Sequence, residues 1–404
     1  MSAARDAGVP PCGFLLHFVL LAMLSGATIG TAKLVTTFYA LHLGADAAQV
    51  GFISAMESLG MVLVTVPAGF LIARFGARRV YFIASLGPLL LNLLIPFTSV
   101  WYAIALTQLL IGLCIPFRIV SMNSAFLEHL KHAGSSRAGW YRAALVVGIG
   151  LCGPAVADLL GARLGNTGIF AVVAASFAVM AVYGHAFLPE ARPVAPPEAG
   201  PATGMLAGLR DMLRSPEIGN SCLIEVLAGA TNALYGTFIM VVAIQSLHMS
   251  RAEALQLVMV QGAASVLWLM GLGRVVSRLS ERQVYPFSVA AASGGLMLLG
   301  TGQGFAALAA GAVLMSLGAA MIHLLNMTQL SRHSMDKSRI SGLFNLASMA
   351  GAFAGAMAGS LLNRWMPVQH VFLAWIPMVL LTTLACRVHA GRHAGRAALN
   401  AAGA

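Results

Sequence analysis

Twelve stretches of this chain are apolar for about 20 residues each, long enough to cross a bilayer as a helix. They fall at roughly 14–40, 48–73, 80–98, 101–126, 139–163 and 166–188, and after a break at 217–246, 252–277, 284–301, 304–330, 341–362 and 367–388. In hydrocarbon only helices and closed barrels satisfy their backbone groups. These runs lack the two-residue alternation of a barrel strand. Only 9% of the 404 residues are charged, against about 25% in a soluble domain. The expected fold class is therefore an all-α membrane protein of 12 transmembrane helices, arranged as two six-helix bundles.

The runs divide the chain into a short N-terminus (1–13), a first bundle (14–188), a polar break (189–216), a second bundle (217–388) and a basic tail (389–404). The first run is too long for a signal-peptide core of roughly 7–15 residues, so it reads as a retained helix. In the break, a Pro/Ala/Gly-rich linker precedes Met205–Arg214, where Met205, Leu206, Leu209, Met212 and Leu213 share a face. That pattern suits a short amphipathic helix on the membrane surface. The net charge of +11 is explained by the membrane and requires no nucleic acid. With the N-terminus inside, 19 of the 24 Lys and Arg fall on the cytoplasmic side. Arg163, Arg251 and Arg364 fall opposite, and Lys33 and Arg118 lie within helices. This bias predicts both termini in the cytoplasm of a bacterial inner membrane protein. The five cysteines have no CxxC or metal-ligand spacing, so neither a disulfide framework nor a metal is expected.

The two bundles carry an internal repeat. Gly69–Tyr81, GFLIARFGARRVY, recurs 204 positions later as Gly273–Tyr285, GRVVSRLSERQVY. Gly69, Arg74, Arg78 and Val80-Tyr81 find their counterparts in Gly273, Arg278, Arg282 and Val284-Tyr285. Ser136-Arg137 likewise matches Ser338-Arg339. Parallel halves related by an axis along the membrane normal are a known transporter plan.

On these residues the chain resembles the major facilitator superfamily of secondary transporters. That family carries, between helices 2 and 3, a glycine, three residues, an acid, a basic residue, one residue, a glycine, one residue and two basic residues. Gly69, Arg74, Gly76, Arg78 and Arg79 match it, whereas the acidic position is Ala73, and Ser277 in the second copy. Gly148 to Pro154, GIGLCGP, with Gly150, Gly153 and Pro154, resembles the helix-5 glycine-proline motif of exporters and antiporters in that superfamily. The same letters satisfy GxGxxG, but inside an apolar helix they have no strand before them, so a dinucleotide site is not expected. Neither an ATP-binding GxxxxGK[ST] stretch nor a hydrolase motif occurs, and no enzyme and no cofactor are expected.

Ionisable groups inside membrane helices are costly and mark function. Helix 1 carries Lys33 and helix 2 Glu57, close enough in depth to form an ion pair. Helix 4 carries Arg118, and helix 10 His323 at almost the repeat-equivalent position, with Ser316 and Asn326 on its face. Helix 7 carries Glu225, Gly229, Asn232 and Tyr235 at helical spacing, the most continuous polar stripe in the chain. The expected cavity lining is thus Lys33, Glu57, Arg118, Glu225, Asn232, Tyr235, His323 and Asn326. Glu57 and Glu225 are the expected proton carriers. The resemblance implies that helices 1, 4, 7 and 10 line a cavity opened alternately to each side. A monomeric, proton-coupled transporter is expected; the mixed charges suggest a polar cargo, and the helix-5 resemblance implies export of a drug or a secreted metabolite such as a siderophore. An uptake symporter for a polar nutrient or organic anion, or a non-transporting sensor on the same fold, are the alternatives.

Overall fold

The computed structural model describes residues 11–133, 144–188, 216–276, 278–331 and 337–402. The amphipathic stretch at 205–214 and Ser136-Arg137 lie outside them. Among the described residues every regular element is helical. Among these residues eleven helices are long and apolar enough to cross a membrane, and His370–Cys386 is a shorter apolar helix.

In order, α1 is Pro11–His42, α2 Ala47–Phe75, α3 Ala77–Leu94 and α4 Trp101–Ala133. The stretch from Ala144 to Phe187 is near-continuous helix, and Gly165 divides it (φ 65°, ψ −174°). This gives α5 (Ala144–Gly165) and α6 (Thr167–Phe187). Then follow α7 (Pro216–Val241), α8 (Arg251–Gly271), α9 (Glu281–Thr301), α10 (Phe305–Ser331), α11 (Lys337–Leu362) and α12 (His370–Ala402). Helices α4 and α12 run on past their apolar stretches, to Ala133 and Ala402.

The two copies of the basic turn are built differently. In the first, Gly76 joins α2 to α3 at φ 83°, a left-handed conformation that favours glycine. In the second, Ser280 caps α9, its N–H donating to Gln283 Oε1 at 3.1 Å. A serine cap satisfies an orphan helix-start group without positive φ.

Two helices contain π-turns. Gly148–Cys152 forms one in α5, directly before Pro154. Proline lacks the N–H that would close an α-turn, and the wider turn absorbs that break. The second, Val242–Ser246, ends α7.

The chain forms two compact units. The first comprises 1–39 and 64–196, the second 40–63 and 197–404. The end of α1 and the first half of α2 therefore group with the second unit. Three contacts hold them there: Gln245 Nε2 donates to Ala45 O (3.3 Å), Ser360 Oγ to Ala48 O (2.6 Å), and the Ser54 and Thr237 hydroxyls meet at 2.8 Å.

Within each unit one helix crossing recurs with a period of 203 residues. In the first unit, a methyl added at Gly26 would strike Leu145 O, and one at Gly148 would strike Met23 O. In the second, one at Gly229 would strike Ser348 O, and one at Gly351 would strike Val226 O. Helices α1 and α5, and α7 and α11, thus cross backbone to backbone, as small residues permit in membranes. Thr31 Oγ1 adds a buried hydrogen bond across the first crossing, to Gly153 O at 3.0 Å. Large apolar side chains such as Leu90, Phe97 and Trp365 point outward, as lipid-facing residues do.

Candidate functional site

Two polar clusters lie inside the bundles, one in each unit. In the second unit, Glu225 on α7 and His323 on α10 approach to 3.6 Å between Oε2 and Nδ1, with side chains 8% and 20% exposed. This is longer than a hydrogen bond. It is a charge contact when the imidazole carries a second proton. One turn away Asn326 Nδ2 donates to Ser221 O at 3.2 Å, again joining α10 to α7. The Asn326 Oδ1 and the Ser316 hydroxyl are buried without a protein partner.

In the first unit, Arg118 on α4 is 2% exposed. Its Nε donates to Ser85 Oγ at 3.0 Å, and its Nη2 to Tyr81 Oη at 3.3 Å and Met180 Sδ at 3.1 Å. Its guanidinium carbon lies 4.6 Å from the Phe177 ring centroid and 5.3 Å from that of Tyr81. The cation is held by neutral donors, acceptors and aromatic faces contributed by α3 and α6, with no carboxylate in contact among the described residues. Cation–π contacts and dipoles offset part of the cost of burying it.

Several expectations are corrected by these positions. Arg118 does not line open space; it is sealed between α3, α4 and α6. His323 is not its packing counterpart. The glycine crossing sets the repeat at 203 residues, which places Met321 opposite Arg118. Met321 packs with Val276, Val284 and Leu325. His323 lies two residues further on and so faces another side, toward α7. Tyr235 is 2% exposed and turns to α8, where its hydroxyl donates to Leu257 O at 3.0 Å. The helix-7 stripe is therefore not one surface: Glu225 faces α10, Gly229 packs on α11, Asn232 is exposed and Tyr235 faces α8. Asn326 is buried between α7 and α10 rather than open.

Lys33 is half-buried on α1 and makes no ion pair or side-chain hydrogen bond among the described residues; Thr37 Oγ1 donates only to its carbonyl. Glu57 is half-buried in the part of α2 that groups with the second unit. In the basic turn, Arg74 lies 5.3 Å from the ring of its neighbour Phe75, Arg78 Nε is buried without a partner and Arg79 is exposed. Gly69 has open space where a side chain would stand. Among the described residues no cluster of three or more His, Cys, Asp or Glu could hold a metal ion.

Sequence reasoning missed Ser221, Ser85, Phe177 and Met180. Ser85 could have been found, since it lies one turn after Tyr81, the last residue of the repeated turn. The other three carry no local signal, because their roles arise only from helix packing.

A family model described as Major Facilitator Superfamily matches residues 18–272. No curated protein sequence matches the chain. Solved structures share the fold, two of them of one transporter. A point mutant of the nucleoside transporter NupG superposes with a TM-score of 0.77 at 15% identity, covering 93% of this chain and 99% of that one. NupG itself gives 0.74 at 15% identity, covering 93% and 98%.

Proposed function

This chain belongs to the Major Facilitator Superfamily, and on that premise we propose that it is a proton-coupled secondary transporter of a polar small molecule, with Glu225 carrying the coupled proton. The observation that carries the reading is the buried contact between Glu225 and His323. With one proton shared between them, the pair is neutral whichever residue holds it. With none, a lone carboxylate remains in an apolar bundle, at a cost of about 3 kcal/mol on insertion scales. Loss of the proton therefore changes the energy of any state in which the pair is shut away from water. Such a dependence can bind proton movement to alternating access.

Asn326 supports the pair by fixing α10 against α7 one turn away. The fold relatives bear the name nucleoside transporter, which makes a nucleoside a sensible first probe.

Export of a drug or siderophore is suggested by the helix-5 glycine-proline motif. Its leading glycine, Gly148, performs the same packing role as Gly351 in α11. The crossing glycine is thus common to both units, whereas Gly150, Gly153 and Pro154 correspond to Phe353, Ala356 and Met357; the proposal covers movement in either direction.

The test uses purified protein in liposomes, an imposed pH gradient, and labelled uridine together with a mixture of polar metabolites followed by mass spectrometry. Gradient-driven movement should occur in the native protein and vanish in Glu225→Gln. Undiminished movement in that variant would remove Glu225 as the proton carrier.

A further inference from the structure

Lys33 stands apart from the other charged groups of the membrane helices. It lies in the span Leu16–His42, nine residues from the near end. That is about 13 Å along the axis, farther than its four-carbon stem reaches toward an interface. A charge at such depth normally has a partner or faces water. Among the described residues of its own unit Lys33 has no ion pair and no side-chain hydrogen bond, and it is half-buried. One turn onward the Thr36 hydroxyl is buried with no hydrogen-bond partner.

The first unit offers little to neutralise this ammonium. Asp158 is the one carboxylate of that unit whose side chain is described. The contacts of Gly26 with Leu145 and of Gly30 with Ile149 put α1 and α5 side by side. By that register Asp158 stands level with Tyr39, more than a turn beyond Lys33, and Lys33 forms no ion pair with it. Arg118, the other buried cation of the unit, is already held by Tyr81, Ser85, Met180 and Phe177. Among the described residues, Lys33 is thus the cation of the first unit's membrane core that remains available.

We propose that Lys33 binds an anionic group of the cargo, a carboxylate or a phosphate, so that the transported molecule is an organic anion or a zwitterion. This rests on the transport reading above and narrows its substrate class. An ammonium at low dielectric attracts a carboxylate or phosphate strongly, and a neutral analogue would leave it unpaired. The contact fixes specificity through the difference in affinity between charged and neutral forms.

The experiment uses the full-length protein in detergent and in liposomes, with matched probes: uridine and uridine 5′-monophosphate, benzamide and benzoate. Thermal stabilisation and transport are measured for each. At least one anion should act where its neutral partner does not. Lys33→Gln should weaken that anion at least about tenfold, the scale of one ordinary charge contact. Lys33→Arg should keep the preference. Lys33→Cys should lose it and regain it when the thiol is converted to an aminoethyl disulfide, which separates a binding role from a folding defect. The inference is overturned if no anion acts, if neutral partners act equally, or if Lys33→Gln leaves the preference intact. Neutral solutes moved independently of Lys33 would defeat this inference and leave the transport reading standing. A protein that moves no solute would defeat the transport reading itself.

Discussion

The two units hold their buried charge in opposite ways. In the first, Arg118 is permanently charged and enclosed by Tyr81, Ser85, Met180 and Phe177, all neutral. In the second, the titratable Glu225 faces the titratable His323. The scaffold around them is the same, since the Gly26–Gly148 crossing of α1 and α5 is repeated by Gly229 and Gly351 in α7 and α11. The difference arises from position along one helix. Met321 occupies the place of Arg118, and His323, two residues later, is turned toward α7. A caged guanidinium cannot lose its proton under physiological conditions, so it can hold helices together but cannot carry a proton. A carboxylate–imidazole pair can exchange one. The first unit is thus read as a fixed frame, and the second as the place where protonation changes.

The comparison breaks most easily at Glu225. Glu225→Gln should lower pH-gradient-driven accumulation at least about 100-fold, the scale of losing a proton-transfer group. Exchange of labelled for unlabelled cargo should persist. Retained accumulation would move the proton elsewhere, with Glu57 the next residue to test. His323→Gln should give a smaller loss, about tenfold, the scale of one charge contact, because the carboxylate remains and only its partner is removed.

The shared scaffold makes a sharper prediction. Gly148→Ala and Gly351→Ala each drive a methyl into a facing backbone carbonyl. Each should destabilise its own unit by about 1–3 kcal/mol, as overpacking does, and the two losses should be similar. Thermal unfolding of the two variants in one detergent measures this. A large loss for Gly148→Ala alone would restore a special role for the helix-5 motif. The smallest effect is expected at Arg118→Met, which copies the residue standing at Met321. It strands the Tyr81 hydroxyl, while the Ser85 hydroxyl keeps its bond to Tyr81 O, and it removes a buried charge, so stability should change by no more than about 2 kcal/mol.

The helices are readable from their apolar length, and the two-unit repeat from one basic turn. Gly76 is readable as part of a motif, and its φ of 83° supplies the physical reason for glycine there. The pairings within the two polar clusters are not readable. Glu225 and His323 lie far apart in sequence, and their approach depends on how α7 and α10 are rotated about their own axes. Helical spacing places Tyr235 near the Glu225 stripe, but its hydroxyl finds the Leu257 carbonyl on α8. The repeat offset of 204 read from the basic turn differs by one from the 203 of the helix crossings. The offset of 204 lands on Ile322, beside His323, whereas 203 lands on Met321, and the two residues between Met321 and His323 turn the side chain by about 200°. The grouping of 40–63 with the second unit likewise depends on hydrogen bonds such as Ser360 to Ala48, which leave no trace in the apolar pattern.

The most direct measurement of the contrast between the units is proton flux into liposomes, read by a trapped pH-sensitive dye as cargo is added, for Glu225→Gln and Arg118→Met side by side. The account predicts that Arg118→Met moves protons with cargo as the native protein does, whereas Glu225→Gln exchanges cargo without moving protons. Cargo-dependent proton flux that survives in Glu225→Gln and disappears in Arg118→Met would contradict it.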